Sequence, residues 1–361
     1  MKQNWWKILC VFMLIYVFVF GMLIPLKPAI QSVSKSNAKV GDTLTLTLNG
    51  YNTYFKEATD VRVWLKFDTA HVVEGHNIRL LADQEAEVTF VLPKFLPTKV
   101  KVMEATIIFD SDVDGSFPYP GAVFVSQDSV NEVLAIYPDK IAALHKTPYM
   151  SFPFRNILQE TVRNLYFHVP LWFAMMILFG IAAWYSWQYL SKNPNRSKGS
   201  ASDFKAVDIQ KFDRKAVALT NVGVVFGILG LITGAIWANY TWGKPWSFDV
   251  KQNMAAICVL IYCAYFVLRG SFDDQEKKAR ISAAYNIFAF FAMFPLLFII
   301  PRLTDSLHPG NGGNPALGSQ DLDNTMRTVF YPAVIAFTML GYWMAQLWWR
   351  TQAIEDEILE V

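Results

Sequence analysis

Residues 216–238 read AVALTNVGVVFGILGLITGAIWA, an uncharged run long enough to cross a bilayer as one helix. Similar apolar runs occupy about 8–24, 168–190, 252–269, 281–301 and 329–349. Only 17% of the 361 residues are charged, compared with roughly 25% in a soluble domain. The sequence therefore predicts an α-helical polytopic membrane protein with six transmembrane helices.

The first apolar run, 8–24, resembles both a signal peptide and a membrane anchor. It follows Lys2 and Lys7 and ends at Pro25-Leu26-Lys27-Pro28, with no small-x-small cleavage site. This pattern favours an uncleaved anchor.

Lysine and arginine in the short loops predict the orientation of the spans. Segments 191–215 and 270–280 are rich in these residues, whereas 239–251 and 302–328 hold two each. We therefore expect the first two segments and both termini in the cytoplasm. Residues 27–165 then lie outside, with the loops 239–251 and 302–328.

Short apolar segments of period two fill residues 38–126. Leu44, Leu46 and Leu48 alternate with threonines, and turn signals stand at Gly41-Asp42, Asn49-Gly50 and Asp114-Gly115. This pattern predicts an inserted all-β sandwich, for which an immunoglobulin-like arrangement is one candidate.

The predicted domains are a first transmembrane anchor at 1–26, an extracytoplasmic β domain at 27–150 and a membrane domain at 151–361. A short interfacial helix, 157–166, leads into the second span. The segment Asp110-Ser-Asp-Val-Asp-Gly115 imitates the start of a calcium loop but has Gly121 where that loop needs glutamate. A solvated hairpin turn is the expected structure.

Two histidines stand at predicted ends of spans on the same outer face. His168 opens the second span in His168-Val-Pro170, and His308 follows the fifth in Ser306-Leu-His308. The loop between them is rich in aromatic residues. Neutral imidazole is a good ligand for haem iron, so the pair predicts axial ligation of one haem.

Other residues near this face have side chains suited to a flat, apolar, anionic ligand. Indole and phenyl rings can stack on a porphyrin, glycine permits close approach, and basic groups can pair with propionates. A carboxylate can orient a basic group or cap a helix. The candidate binding residues beside the two histidines are Trp237, Trp242, Gly243, Trp246, Phe248, Asp249, Lys251 and Arg302.

Here the chain resembles the CcmC family of cytochrome c maturation proteins, within the haem-handling group that shares a "WWD" loop. The family pattern is close to W-G-x-W-W-x-W-D, and this chain has Trp242-Gly-Lys-Pro-Trp-Ser-Phe-Asp249. Pro245 and Phe248 replace two tryptophans. The histidine contexts, span count and loop order match as well, whereas the β domain is an insertion.

The resemblance implies a non-enzymatic protein of the bacterial inner membrane that binds haem b through His168 and His308. It implies presentation of that haem to the periplasmic chaperone CcmE, with the ABC transporter CcmAB and the small subunit CcmD as partners. No nucleic-acid motif is present.

Three alternatives stay open. A haem lyase or cytochrome c synthetase of the related CcsA or CcmF type would carry additional histidines within its spans, which this sequence lacks. A b-type electron-transfer subunit would place its histidines inside the helices. The third alternative is a haem-free scaffold whose aromatic residues form only an interfacial belt.

Overall fold

The computed structural model describes residues 4–128, 141, 143–147, 149–192, 203–308, 318 and 322–359, with the backbone alone at 203–208. Two compact units are present, Met1–Leu23 with Glu160–Val361, and Ile24–Gln159. We call them the membrane unit and the β unit. Six helices among the described residues are long and apolar enough to cross a membrane, as the sequence predicts.

The helices of the membrane unit follow the apolar runs. They are α1 (Trp5–Leu23), α2 (His168–Lys192), α3 (Asp203–Trp242), α4 (Val250–Gly270), α5 (Gln275–Phe294), α6 (Ile300–Leu303) and α7 (Asn324–Leu359). A π-helical turn, Pro295–Ile299, joins α5 to α6, and a 3₁₀ helix, Gln159–Tyr166, precedes α2. Helix α2 is central, because it packs on α3, α5 and α7.

Helix α3 begins earlier than the loop prediction for 191–215 allowed. Ile209 and Phe212 continue its apolar face and pack beside Tyr189 and Ala279. Arg269 adds a two-pronged ion pair to Asp213, with N–O distances of 2.9 and 2.6 Å. These contacts stabilise α3 from Ile209 onward, within the segment that was predicted to be a loop.

Helices α2 and α3 are joined by a ladder of side chains set against glycines. Each rung places one α2 side chain where a Cβ on α3 would collide with it. Small residues at this spacing let two membrane helices approach closely. The rungs are Phe179 on Gly223, Met175 on Gly227, Trp172 on Gly230 and His168 on Gly234.

The β unit is a two-sheet sandwich. Its strands are β1 (Ala29–Val33), β2 (Asn37–Lys39), β3 (Thr43–Tyr51), β4 (Val61–Lys66), β5 (Val72–Glu74), β6 (His76–Ala82), β7 (Glu85–Val91), β8 (Val102–Ser111) and β9 (Gly115–Ser126). The sheets have the orders β1-β3-β7-β6 and β2-β9-β8-β4-β5. The orders match the A-B-E-D and G-F-C pattern of immunoglobulin folds. The core contains Leu46, Val63, Phe90 and Phe109.

Two turn predictions in the β unit need correction. Asn49 and Gly50 lie inside β3, paired with β1, because the chain turns only after Tyr51. The turn before Gly115 joins β8 to β9 as predicted, but only part of it is solvated, since Asp112 is exposed and Asp114 is not. Asp110 and Asp114 are both buried, since Asp110 pairs with Arg62 and Asp114 accepts the Tyr54 N–H.

The burial of Asp114 predicts that the stability of the β unit depends on pH. Burial, with smaller contributions from nearby carboxylates, raises the pKa of Asp114 from 3.8 to about 6. A carboxyl whose pKa is higher in the folded state stabilises the fold below pH 4, and the contribution is lost as pH rises through 6. Hydrogen exchange of the segment 51–57, corrected for intrinsic pH effects, should therefore quicken between those values. Asp114→Asn should abolish that change; a variant that retains it would exclude this carboxyl as the cause.

Candidate functional site

His168 begins α2, and its imidazole lies against the backbone of α3. The Nδ1 atom is 3.0 Å from the Thr233 hydroxyl oxygen, which donates its own proton to the Leu229 carbonyl at 2.8 Å. Thr233 therefore accepts, and His168 Nδ1 carries the proton. This tautomer leaves Nε2 as the nitrogen with the lone pair.

His308 lies in the segment after α6 and is held by a buried carboxylate. Its Nδ1 is 2.8 Å from Asp249 Oδ1. The same carboxylate accepts the Ser306 hydroxyl at 3.0 Å and the Leu307 N–H at 2.6 Å. It also caps α4 by accepting the Lys251 N–H at 2.9 Å. Asp249 thus both orients His308 and caps α4.

Burial favours the neutral form of the His308 imidazole, whereas hydrogen bonds favour the ionised form of the Asp249 carboxylate. Burial alone would raise the pKa of Asp249, but the Leu307 N–H and the charge of His308 lower it overall. Burial lowers the pKa of His308, and Lys251 adds to that effect while Asp249 opposes it. The lowered pKa favours neutral His308, whose Nε2 carries the lone pair when Nδ1 donates to Asp249.

The two imidazoles lie in the same region of the membrane unit. They are close enough to interact electrostatically. Trp237 and Trp242 pack around His308, with ring centroids 6.0 and 4.8 Å from the imidazole, and lie 5.0 Å from each other. The structure therefore brings together five of the ten predicted site residues: His168, His308, Trp237, Trp242 and Asp249. They lie at the end of the membrane unit where α2 begins and α3 ends, which we call the rim.

The rest of the predicted loop is arranged less closely. Gly243 has a φ of +74°, so its role is to permit the turn after α3. Trp246 is half-buried, whereas Phe248 is 78% exposed, and Arg302 is exposed as well. Lys251 is near enough to influence His308. In the described part of the chain, the side chains that contact the His308 ring include Trp237, Trp242 and Asp249.

Sequence reasoning missed the residues that hold the predicted ones in place. Thr233 forms a hydrogen bond with His168, and Gly234 leaves room for the His168 ring. Ser306 donates a hydrogen bond to Asp249. Gln252 accepts the Ser247 N–H at 3.0 Å and its amide is 3.4 Å from the Pro245 carbonyl, bracing the loop. The spacing of Gly223, Gly227, Gly230 and Gly234 was the available signal for the α2–α3 ladder.

Comparison with known proteins identifies a family for this chain. The model of the family described as "Cytochrome C assembly protein" matches residues 128–308, half of the chain.

Similar proteins carry the name "Cytochrome c biogenesis protein CcsA". The protein from Prochlorococcus marinus (strain NATL1A) is 34% identical over 94 residues, 26% of this chain and 30% of the relative. That from Thermosynechococcus vestitus (strain NIES-2133 / IAM M-273 / BP-1) is 38% identical over 74 residues, 20% and 23%. That from Synechococcus sp. (strain CC9311) is 34% identical over 95 residues, 26% and 31%. The chain thus spans less than a third of these relatives.

These relatives correct two predictions. The specific resemblance to CcmC is not supported, since the similar proteins are named CcsA. CcsA is the class that we set beside haem lyases above, so the prediction that the protein is not an enzyme is wrong. The chain belongs to the cytochrome C assembly protein family and is a multi-pass membrane protein of cytochrome c biogenesis.

Proposed function

We propose that this protein holds haem between His168 and His308 and promotes its covalent attachment to apocytochrome c. The activity is that of a haem lyase or cytochrome c synthetase of the CcsA type. One observation carries the proposal. Both imidazoles have Nδ1 engaged by a hydrogen bond, so both offer Nε2 at the same rim.

The residues at the rim fit haem as the substrate. Two neutral imidazoles are suited to the two axial positions of haem iron. Trp237 and Trp242 supply apolar surface beside His308. Lys251 supplies positive charge suited to a propionate, and exposed Arg302 is a further candidate.

Covalent attachment depends more on the relative position of haem and apocytochrome than on a nucleophile from this chain. Each thioether forms when a thiol of the apocytochrome Cys-x-x-Cys-His motif adds across a haem vinyl group. The sulfur binds one vinyl carbon and the thiol hydrogen ends on the other, so no group leaves and no net oxidation occurs. Holding haem and peptide in register would raise the rate through proximity and orientation.

The location of the site follows from the loop charges. Segments 239–251 and 302–328, which border the rim, carry few Lys and Arg residues, whereas 191–215 and 270–280 carry many. We infer that both termini are cytoplasmic and that the rim lies at the periplasmic face of the inner membrane, where apocytochrome would arrive.

Delivery of haem to a chaperone of the CcmE type, aided by CcmAB and CcmD, is the second candidate. It is favoured by the six spans and by the rim position of both histidines. The two functions differ in the acceptor that becomes covalently joined to haem.

A complementation experiment tests the proposal. The native host would be deleted for this protein and supplied with wild type, His168→Ala, His308→Ala or the control His76→Ala, whose side chain is exposed on β6. Covalent haem on cytochromes, read by peroxidase staining of denaturing gels, should appear with wild type and the control and be lost with the other two. Normal staining with both site variants would contradict the proposal. Haem found on a chaperone alone would favour delivery.

A further inference from the structure

We propose that the end of the membrane unit opposite the rim binds anionic phospholipid, with the ammonium groups of Lys7 and Lys215 pairing with headgroup phosphates. This is the end where α2 finishes and α3 begins. The site is separate from the rim and takes a different ligand.

Four aromatic side chains from α1 and α7 form one cluster at this end. The Trp6 ring centroid lies 6.0 Å from that of Tyr342 and 6.3 Å from that of Trp343. Tyr342 lies 5.6 Å from Trp349. The pairs meet edge to face, which aromatic rings prefer. All four side chains are half-buried, and we call them the aromatic cluster.

A lysine from each of two helices lies over rings at this end. Lys7 Nζ is 5.4 Å from the centre of the Trp343 ring. Lys215 Nζ, from α3, is 5.7 Å from the Trp349 ring and 5.1 Å from the Tyr185 ring of α2. Attraction between a cation and an aromatic face keeps both ammonium groups close to the protein. Two cations are therefore positioned beside the aromatic cluster.

Carboxylates near the same end have other partners. Asp356 pairs with Arg214, and Asp213 pairs with Arg269. Among the residues that the structure describes, no ion pair joins a carboxylate to either lysine of the proposed site. Both lysines are half-buried. Because a charge withdrawn from water is costly unless it is paired, an anion from outside the chain would stabilise both.

Exposed apolar side chains next to these groups favour a lipid as the source of the anion. Ile8 is 60% exposed, Met344 40% and Leu347 52%. Their helices are long and apolar enough to cross a membrane, so acyl chains are the expected neighbours of these side chains. A phospholipid supplies phosphate for the lysines and acyl chains for the apolar surface. Inorganic phosphate supplies only the first.

The position of the ammonium groups distinguishes this site from an ordinary interfacial belt. Lysines at a membrane boundary commonly extend their charged ends toward water. Here both ammonium groups lie over aromatic rings instead. Basic sites between transmembrane helices are typical binding sites for anionic headgroups. The geometry therefore favours a lipid that stays bound during purification.

Native mass spectrometry of the purified full-length protein tests the proposal, with phosphatidylglycerol and phosphatidylcholine as probes. Wild type should retain phosphatidylglycerol in preference to phosphatidylcholine. Lys7→Gln and Lys215→Gln should each lower that retention about fivefold, and the double variant about 30-fold, since each lysine near a headgroup contributes about that factor. Equal retention of the two lipids by wild type, or undiminished phosphatidylglycerol in the double variant, would overturn the proposal.

Lys192→Gln is the matched control. The Lys192 ammonium also lies over a ring, 4.4 Å from the centre of Phe212, but its side chain is exposed and lies outside the aromatic cluster. This variant should retain phosphatidylglycerol as wild type does. A loss as large as that of the double variant would attribute retention to net charge and overturn the site.

Two further measurements separate lipid binding from misfolding and from binding of a free anion. A protein with both Lys7→Arg and Lys215→Arg keeps the two positive charges and should retain phosphatidylglycerol. A loss equal to that of the glutamine double variant would show that these charges do not hold the lipid. Excess inorganic phosphate should leave the lipid bound, and complete displacement would overturn the assignment to a phospholipid.

Discussion

Asp249→Asn is expected to lower the haem affinity of the purified protein by about 10–100-fold, the usual cost of removing a partner of a ligating histidine. The carboxylate accepts from His308, Ser306 and the Leu307 N–H, and an amide can satisfy only part of this set. The change also removes the negative charge beside the imidazole. Haem titration followed in the Soret band measures the affinity.

Asp305→Asn is the matched control for this prediction. Asp305 lies in the same segment as His308, and its side chain is exposed. Its affinity for haem should equal that of wild type. An Asp249→Asn protein that binds haem as tightly as the control would show that the buried carboxylate does not position His308.

Gly234→Ala is expected to weaken haem binding by about 10–100-fold, because a small displacement of a reacting or ligating group is costly. A Cβ on Gly234 would lie 2.7 Å from His168 Cε1, closer than such contacts allow. The imidazole must then move, and it forms the end of the ladder nearest the rim. The same haem titration measures the effect, with helix content by circular dichroism as the check on folding.

Gly227→Ala separates ligand displacement from poorer packing of α2 on α3. Its Cβ would meet Met175 Sδ, one of the rungs below His168 in the same ladder, and Val259 Cγ2 on α4, each at 2.9 Å. Methionine adapts its shape easily. This variant should keep most of its haem affinity, and equal losses in the two variants would attribute the effect to helix packing.

The membrane part of the fold could be predicted from sequence because each span depends on one local property, a long apolar run. The alternation of Leu44, Leu46 and Leu48 likewise indicated β3 directly. The Asn49-Gly50 turn was wrong because β1 pairs with the end of β3 and keeps it extended. Pairing with a distant strand overrides a local turn preference.

The site was predictable to the extent that its chemistry is carried by distinctive residue types. His168, His308 and the tryptophans stand out in the sequence, and Asp249 has both roles considered for it. Thr233 did not stand out, since its contact with His168 depends on the register between α2 and α3. The exposed position of Phe248 was likewise unpredictable, because it follows from a left-handed backbone with φ of 58°.

The functional prediction was confirmed at the level of cytochrome c biogenesis and was wrong in expecting a protein that is not an enzyme. The motifs in Trp242–Asp249 and around the histidines are shared across haem-handling proteins, so they favoured a group without separating its members. The CcsA names of similar proteins moved the interpretation from delivery to attachment.

The central claim is that His168 and His308 bind one haem together. Absorption and electron paramagnetic resonance spectra of the purified full-length protein, loaded with haem, test it most directly. We predict six-coordinate low-spin haem in wild type and conversion to high-spin or haem-free protein in both His168→Ala and His308→Ala. Low-spin haem that persists unchanged in both variants, or a wild type that binds none, would contradict the account.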